Sequence, residues 1–103
     1  MKIVLICYAG MSTSLVMKKM EEAALKDQIK IEITAASASD LDEHKEGADI
    51  ILLGPQVRFM LDEVKQKVGA EIPVMVIDLR DYGMMRGDVI LKNAMKAIAE
   101  NKK

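Results

Sequence analysis

The sequence predicts an α/β fold: a four-stranded parallel sheet in a three-layer arrangement with helices on both faces. Two observations carry this prediction. Four short apolar runs alternate along the chain with segments whose apolar residues recur at helical spacing. Three of these runs are continuous, which is typical of parallel strands that are covered on both faces. Strands and helices that alternate in this way form parallel sheets through right-handed crossovers.

The order of the predicted strands follows from their patterns. The continuous runs cover residues 3–6, 50–53 and 74–77. The second run along the chain, residues 29–33, alternates apolar and charged residues, so it should be an edge strand with one face in solvent. An edge position for the second strand, together with right-handed crossovers, favours the order 2-1-3-4 of flavodoxin-like folds.

Three segments have the spacing of amphipathic helices, namely residues 12–27, 55–68 and 88–100. Pro55 suits the first turn of the second helix, and Asp88 is expected to be the N-cap of the third. Residues 37–47 contain a single large aliphatic residue, Leu41, so only one or two helical turns are expected there.

The composition limits the possible functions. The chain has 103 residues, about the size of one compact domain, and half of them are apolar. The formal net charge of -1 argues against nucleic-acid binding, which usually requires a basic excess. The single cysteine cannot form an internal disulfide and suits a reducing cytoplasm. The apolar runs are too short for a signal peptide or a membrane span.

The expected ligand site lies where the strand order reverses, between the first and third strands. In open parallel sheets, ligands bind at this point, beyond the carboxyl ends of the strands. Cys7 ends the first strand, and Gly54, Pro55 and Gln56 end the third strand beside it. Asp78 ends the fourth strand.

A loop of small and hydroxyl residues links the first strand to the first helix. Its sequence is Cys7-Tyr8-Ala9-Gly10-Met11-Ser12-Thr13-Ser14. Backbone N–H groups in such a loop and at a helix N-terminus lack helical partners and form an anion site. The same dipoles stabilise a thiolate, which is the nucleophilic form of cysteine. The loop therefore predicts phosphoryl chemistry on the sulfur of Cys7.

This loop is similar to the phosphate-binding loop of the low-molecular-weight tyrosine phosphatases, with one difference. That family has the pattern C-x5-R followed by serine or threonine, whereas here Thr13 stands at the arginine position and Ser14 follows it. A guanidinium at that position would clamp the phosphoryl oxygens in the transition state. Its absence favours a carrier that accepts an activated phosphoryl group over a hydrolase of stable esters.

Longer motifs resemble one family over essentially the whole chain. Residues 7–15, C-Y-A-G-M-S-T-S-L, resemble the active-site loop of the lactose/cellobiose-type enzyme IIB of the bacterial phosphoenolpyruvate-dependent sugar phosphotransferase system. Residues 52–57, L-L-G-P-Q-V, resemble that family's third-strand signature. Residues 76–78, V-I-D, followed by Tyr82-Gly83, resemble its fourth-strand exit.

The resemblance implies a single enzyme IIB domain over residues 1–103 that acts as a phosphotransferase. A phosphohistidine on the partner subunit enzyme IIA would donate to Cys7, which would pass the phosphoryl group to a sugar held by the membrane subunit enzyme IIC. The sugar would be a β-linked disaccharide, and the protein would lie in the cytoplasm, peripheral to the membrane through enzyme IIC. The family needs neither a metal nor an organic cofactor. The phosphate-binding residues would be Tyr8, Ala9, Gly10, Met11, Ser12, Thr13 and Ser14.

Each of these residues also has a purely structural interpretation. Cys7 is either the nucleophile or a small core residue, and the hydroxyl residues that follow it either bind phosphate or only cap the helix. Gly54, Pro55 and Gln56 form either a site rim that meets a partner or only a turn. Asp78 and Tyr82 are either rim residues or a cap and a core residue. For the whole chain, the alternatives are a phosphatase-like hydrolase and a regulatory module that senses phosphorylation.

Overall fold

The computed structural model describes residues 1–7 and 13–102, which form a parallel sheet between two layers of helices. None of the helices in these residues is long and apolar enough to cross a membrane. The strands are β1 (Lys2–Ile6), β2 (Glu32–Ala36), β3 (Ile50–Leu53) and β4 (Val74–Val76). The α-helices are α1 (Thr13–Lys26), α2 (Leu41–His44), α3 (Leu61–Val68), α4 (Leu79–Gly83) and α5 (Gly87–Asn101), with 3₁₀ segments at Ala38–Asp40 and Pro55–Met60.

The sheet has the order β2-β1-β3-β4, and every pair of neighbouring strands is parallel. The predicted fold class and strand order are therefore confirmed. At the carboxyl end of the central strand, Ile6 pairs with Ala36 on one side and with Leu53 on the other. This register places the residues that follow β1, β2 and β3 side by side at one edge of the sheet.

The two faces of the sheet bury two separate apolar cores. On one face, Ile3 and Leu5 of β1 pack in a cluster with residues of α1, α4 and α5. On the other face, Val4 and Ile6 pack in a cluster with Leu41 and with residues of α3 and of the 3₁₀ segment before it. Successive side chains of a strand point to opposite faces, so a continuous apolar run supplies both cores.

The second strand begins later than its alternating pattern predicted. Helix α1 ends in a Schellman-type turn, in which Gln28 has a φ of 58° and the N–H of Ile29 donates to the carbonyl of Ala24 at 2.8 Å. This bond holds Ile29 in the connection. Pairing with β1 starts only at Glu32 and continues to Ala36. The predicted edge position of β2 is correct, and its predicted start at residue 29 is wrong.

Two predicted helix details also need correction. The segment after Pro55 is not one regular helix, because Val57 is buried in the second core with non-helical angles of φ -116° and ψ 21°. Regular α-helix begins only at Leu61. Asp88 is not an N-cap, because α5 already begins at Gly87 and Asp88 lies in its first turn.

Gly87 allows helices α1 and α5 to approach at backbone distance. A Cβ atom at residue 87 would overlap the backbone of Lys19 and Met20 in α1. Only glycine fits this crossing, because backbone atoms cannot move aside as the end of a flexible side chain can. Gly83 differs, since a Cβ added there would meet no atom within 4 Å.

We predict that Gly87→Ala lowers the free energy of unfolding by about 1–3 kcal/mol or more, the usual cost of overpacking a tight contact. Gly83→Ala is the matched control and should be neutral or stabilising by up to about 1 kcal/mol, because alanine favours helix over glycine. Urea denaturation followed by circular dichroism measures both. Equal stability of the two variants would contradict the close helix crossing.

Candidate functional site

Cys7 lies where the strand order reverses, directly after the central strand. Its N–H donates to the carbonyl of Ala36 at 3.1 Å, which extends the β1–β2 pairing by one residue. On the other side, the N–H of Gly54 donates to the carbonyl of Ile6 at 3.0 Å. Cys7 is a free thiol and is partly exposed, so it is not a buried core residue. Backbone hydrogen bonds on both sides thus fix the chain that leads into it.

The residues predicted to bind phosphate fall mostly outside the described part of the chain. Tyr8, Ala9, Gly10, Met11 and Ser12 lie in the interval between residues 7 and 13. The two that remain open the first helix: Thr13 is its first residue and is buried, whereas Ser14 is exposed. Helix α1 therefore begins six residues after Cys7.

A buried pair of hydroxyl groups joins the start of α1 to α4. Thr13 Oγ1 and Tyr82 Oη are 3.1 Å apart and hydrogen-bonded. Thr13 is 5% exposed and Tyr82 is 6% exposed, so water does not compete strongly for either group. The Tyr82 ring belongs to the core cluster beneath α1 and α5. The structure thus places in contact two predicted site residues that are 69 positions apart in sequence.

The three residues after β3 have distinct environments. Gly54 and Pro55 are buried, and Gln56 is partly buried. The side-chain oxygen of Gln56 is buried, without a hydrogen-bond partner among the described residues, and lies 2.9 Å from where a Cβ on residue 54 would stand. Glycine at position 54 therefore leaves room for the Gln56 side chain to fold back toward β1. On the same side, the Tyr82 ring lies 3.8 Å from that Cβ position.

Asp78 is an N-cap, in agreement with its structural interpretation. Its carboxylate accepts hydrogen bonds from the N–H groups of Arg80 at 2.9 Å and of Asp81 at 3.2 Å. These bonds begin the short helix α4, which the sequence analysis did not predict. The signal was an aspartate directly after a strand, with another acidic residue, Asp81, in the first turn. The helix matters because it carries Tyr82.

The sequence analysis also missed the polar residues that follow β2. A cavity of about 360 Å³ beside Cys7 is lined by Ala35, Ala36, Ser37 and Asp40. The Ser37 hydroxyl donates to the Asp40 carboxylate at 3.0 Å and lies 2.9 Å from the hydroxyl of Ser39. Because β2 neighbours β1, the sequence S-A-S-D after that strand could have indicated these residues. Ser37 and Asp40 thus place a hydroxyl and a carboxylate in the wall of the cavity that Cys7 also lines.

Within residues 1–7 and 13–102, no three His, Cys, Asp or Glu residues come together as metal ligands. Cys7 is partly exposed at the carboxyl end of the central strand, and the polar residues that line a cavity with it are Ser37 and Asp40. The fold and site therefore define an α/β protein whose only cysteine lies at the topological switch point of a parallel sheet.

Comparison with known proteins identifies the family. The family model described as the PTS system, Lactose/Cellobiose specific IIB subunit, matches residues 2–101. The galactose-specific EIIB component of the PTS system of Lactococcus lactis subsp. cremoris is 48% identical over 105 aligned positions, which cover 96% of this chain and 93% of that protein. The chain therefore belongs to the lactose/cellobiose-specific IIB family of the sugar phosphotransferase system (PTS), as its motifs predicted.

Two further comparisons agree. The cellobiose-specific EIIB component of Lactococcus lactis subsp. lactis is also 48% identical, with the same 96% and 93% coverage. The solution structure of the cellobiose-specific phosphotransferase IIB component from Borrelia burgdorferi superposes with a TM-score of 0.81 at 34% identity, covering 98% of this chain and 94% of that one. Both fold and sequence therefore place the chain in this family.

We predict that Asp78→Ala destabilises the protein by about 1 kcal/mol, because two amide N–H groups of α4 lose their acceptor. Asp78→Asn retains an acceptor oxygen and should remain within a few tenths of a kcal/mol of the parent, since asparagine caps helices as well as aspartate does. Thermal and urea unfolding measure both variants. Equal destabilisation by alanine and asparagine would show that the carboxylate charge, rather than the cap, is what matters.

Proposed function

We propose that the chain is a phosphoryl carrier, with Cys7 as the residue that is phosphorylated. The observation that carries this proposal is the position of Cys7. It is a partly exposed thiol at the switch point, held by backbone bonds on both sides and followed by a helix N-terminus. A thiolate at such a position meets an anion-binding site, which suits a phosphoryl group bound to sulfur. Membership of the lactose/cellobiose-specific IIB family supports the same function.

The proposed reaction has two transfers. First, the Cys7 thiolate attacks the phosphorus of a phosphohistidine on enzyme IIA: the S–P bond forms, the P–N bond breaks, and its electron pair stays on the imidazole nitrogen. Second, a sugar hydroxyl oxygen attacks the phosphorus of phospho-Cys7 in the membrane subunit enzyme IIC. The O–P bond forms, the S–P bond breaks to restore the thiolate, and the hydroxyl proton passes to a base of that subunit or to water. This activity is that of a protein-phosphocysteine–sugar phosphotransferase.

The environment of Thr13 supports a carrier over a hydrolase. This residue stands at the position where phosphatase-like loops have arginine, and its hydroxyl is engaged with Tyr82. A hydroxyl can donate to a phosphoryl oxygen but adds no positive charge, so it stabilises the transition state of ester hydrolysis less than a guanidinium does. Phosphocysteine should therefore persist until an acceptor arrives.

We further propose that enzyme IIA docks on the surface at the carboxyl ends of the strands, where Cys7 lies. Four large apolar side chains are exposed on the segments that follow β1, β3 and β4, at this edge. Phe59 is 71% exposed, Leu79 is 64% exposed and Met84 is 63% exposed. Exposed apolar residues around a reactive group suit a protein partner that must cover it during transfer. We name these residues the apolar rim: Leu15, Phe59, Leu79 and Met84.

The names of the relatives leave the sugar open, because they include both a monosaccharide and a disaccharide. Relatives named galactose-specific and cellobiose-specific are equally identical to this chain, at 48%. We propose a β-linked disaccharide as the acceptor and enzyme IIC as the subunit that recognises it. The protein would then work in the cytoplasm, as one domain over residues 1–103, and approach the membrane only through enzyme IIC.

Phosphorus NMR of the purified protein tests the carrier directly. Phosphoenolpyruvate, the general phosphotransferase proteins and a cognate enzyme IIA are added to the parent and to Cys7→Ser. We expect a persistent S-phosphoryl resonance in the parent alone, with little inorganic phosphate, because Cys7→Ser has no sulfur to carry the group and a hydroxyl is a weaker nucleophile than a thiol. Rapid release of inorganic phosphate would indicate the hydrolase. The absence of any phosphoprotein would indicate the regulatory module.

We predict that Phe59→Ser raises the KM for phospho-enzyme IIA by about tenfold while kcat changes less than twofold. This is the effect expected of an apolar side chain that the bound partner buries. Leu25→Ser is the matched control. Leu25 is 79% exposed but lies near the carboxyl end of α1, away from the edge with Cys7. Stopped-flow transfer kinetics measure both. An equal effect of the two variants would contradict docking at the apolar rim.

A further inference from the structure

We propose that Tyr82 is a positioning residue that aims the Thr13 hydroxyl at the phosphoryl group of phospho-Cys7. The inference rests on the proposed function and adds a role for a residue in a different part of the chain. It is carried by the buried hydrogen bond of 3.1 Å between Thr13 Oγ1 and Tyr82 Oη. Tyr82 would not touch the phosphoryl group itself.

The hydrogen bond between the two hydroxyl groups uses only one of their two protons. Each is both a donor and an acceptor, and one hydrogen bond between them consumes one of the two protons. Among residues 1–7 and 13–102, no further hydrogen bond takes up the other proton, which can therefore be donated to a third oxygen. Both residues are about 95% buried, at 5% and 6% exposure, so a donor left unpaired there would be costly. The pair therefore indicates an acceptor close by.

The acidity of the two groups selects the direction of the bond. A phenol has a much more acidic proton than an aliphatic alcohol, so Tyr82 is the better donor and Thr13 the better acceptor. With Tyr82 donating, the proton of Thr13 is the one left over. Thr13 is the first residue of α1, at the end of the loop that starts at Cys7. A phosphoryl oxygen on Cys7 would be a hydrogen-bond acceptor near the start of α1, where the Thr13 hydroxyl needs one.

Tyr82 is held rigidly enough to fix the rotation of the Thr13 hydroxyl. Its ring is packed in the core, and its N–H donates to the carbonyl of Asp78 at 2.9 Å. Its own carbonyl accepts from the N–H of Met85 at 3.1 Å. The ring edge also approaches Gly54, which pairs with the strand that ends before Cys7. Tyr82 thus ties the position of Thr13 to the strands that place Cys7.

The experiment is a double-mutant cycle of Tyr82→Phe and Thr13→Val, with each single variant and the pair. Thr13→Ser retains the hydroxyl and serves as the rescue variant. Ile90→Val serves as the control for stability, because Ile90 lies in the same core cluster and carries no hydroxyl. The readouts are the rate of phosphorylation by phospho-enzyme IIA and the phosphorus chemical shift of phospho-Cys7. Thermal unfolding confirms that each variant is folded.

We expect Thr13→Val to slow phosphorylation by roughly tenfold, the effect of one hydrogen bond to a charged group. Tyr82→Phe should slow it by about threefold to tenfold and move the phosphorus resonance, and Thr13→Ser should stay within about twofold of the parent. In the Thr13→Val background, Tyr82→Phe should have little further effect, because its hydroxyl would act only through Thr13. Ile90→Val should leave both readouts unchanged.

Two results would overturn the proposal. One is a Tyr82→Phe variant whose rate and phosphorus shift equal those of the parent. The other is a Tyr82→Phe effect that persists at full size in the Thr13→Val background. Failure of the proposed function has a different signature, since the parent protein itself would then form no phosphocysteine.

Discussion

The pairing of β1 with strands on both sides is the constraint on which the rest of the structure depends. Because β1 lies between β2 and β3, its carboxyl end is enclosed by backbone hydrogen bonds from Cys7 to Ala36 and from Gly54 to Ile6. Cys7 thereby follows directly on a strand that is paired on both sides, and it is still partly exposed. A site built on paired strands holds its geometry better than one carried by loops alone, which suits the proposed transfer of a phosphoryl group between two partners.

One of the two apolar cores holds the residue that contacts the start of helix α1. The cluster that contains Ile3 and Leu5 also contains Tyr82, so the residue that contacts Thr13 is held by the same apolar packing that holds α1 and α5. A cap at Asp78 starts the short helix that brings Tyr82 there. Stability and site geometry are therefore coupled at this point: the free energy gained by burying the ring also fixes the position of its hydroxyl.

The sequence was sufficient for the fold class, the strand order and the place of Cys7, because these depend on periodicity and on topology. It was insufficient for contacts between distant segments. The start of β2 was misplaced because the turn after α1 holds Ile29 by a backbone bond that apolar alternation does not reveal. The segment around Val57 is irregular because burial of the Val57 side chain outweighs the helical spacing of the apolar residues there. Thr13 and Tyr82 were each predicted as site residues. Their hydrogen bond depends on how α1 and α4 lie relative to each other in the fold, which no local sequence pattern shows.

The most direct test of the central claim is a comparison of amide NMR spectra of the protein before and after phosphorylation by its donor. Among the described residues, we predict large shifts at Cys7 and Gly54, at the carboxyl ends of β1 and β3, and at Thr13 and Ser14, which open α1. The chain has one histidine, His44, which lies at the end of α2. Shifts centred on His44, with Cys7 and Gly54 unchanged, would contradict phosphorylation of Cys7.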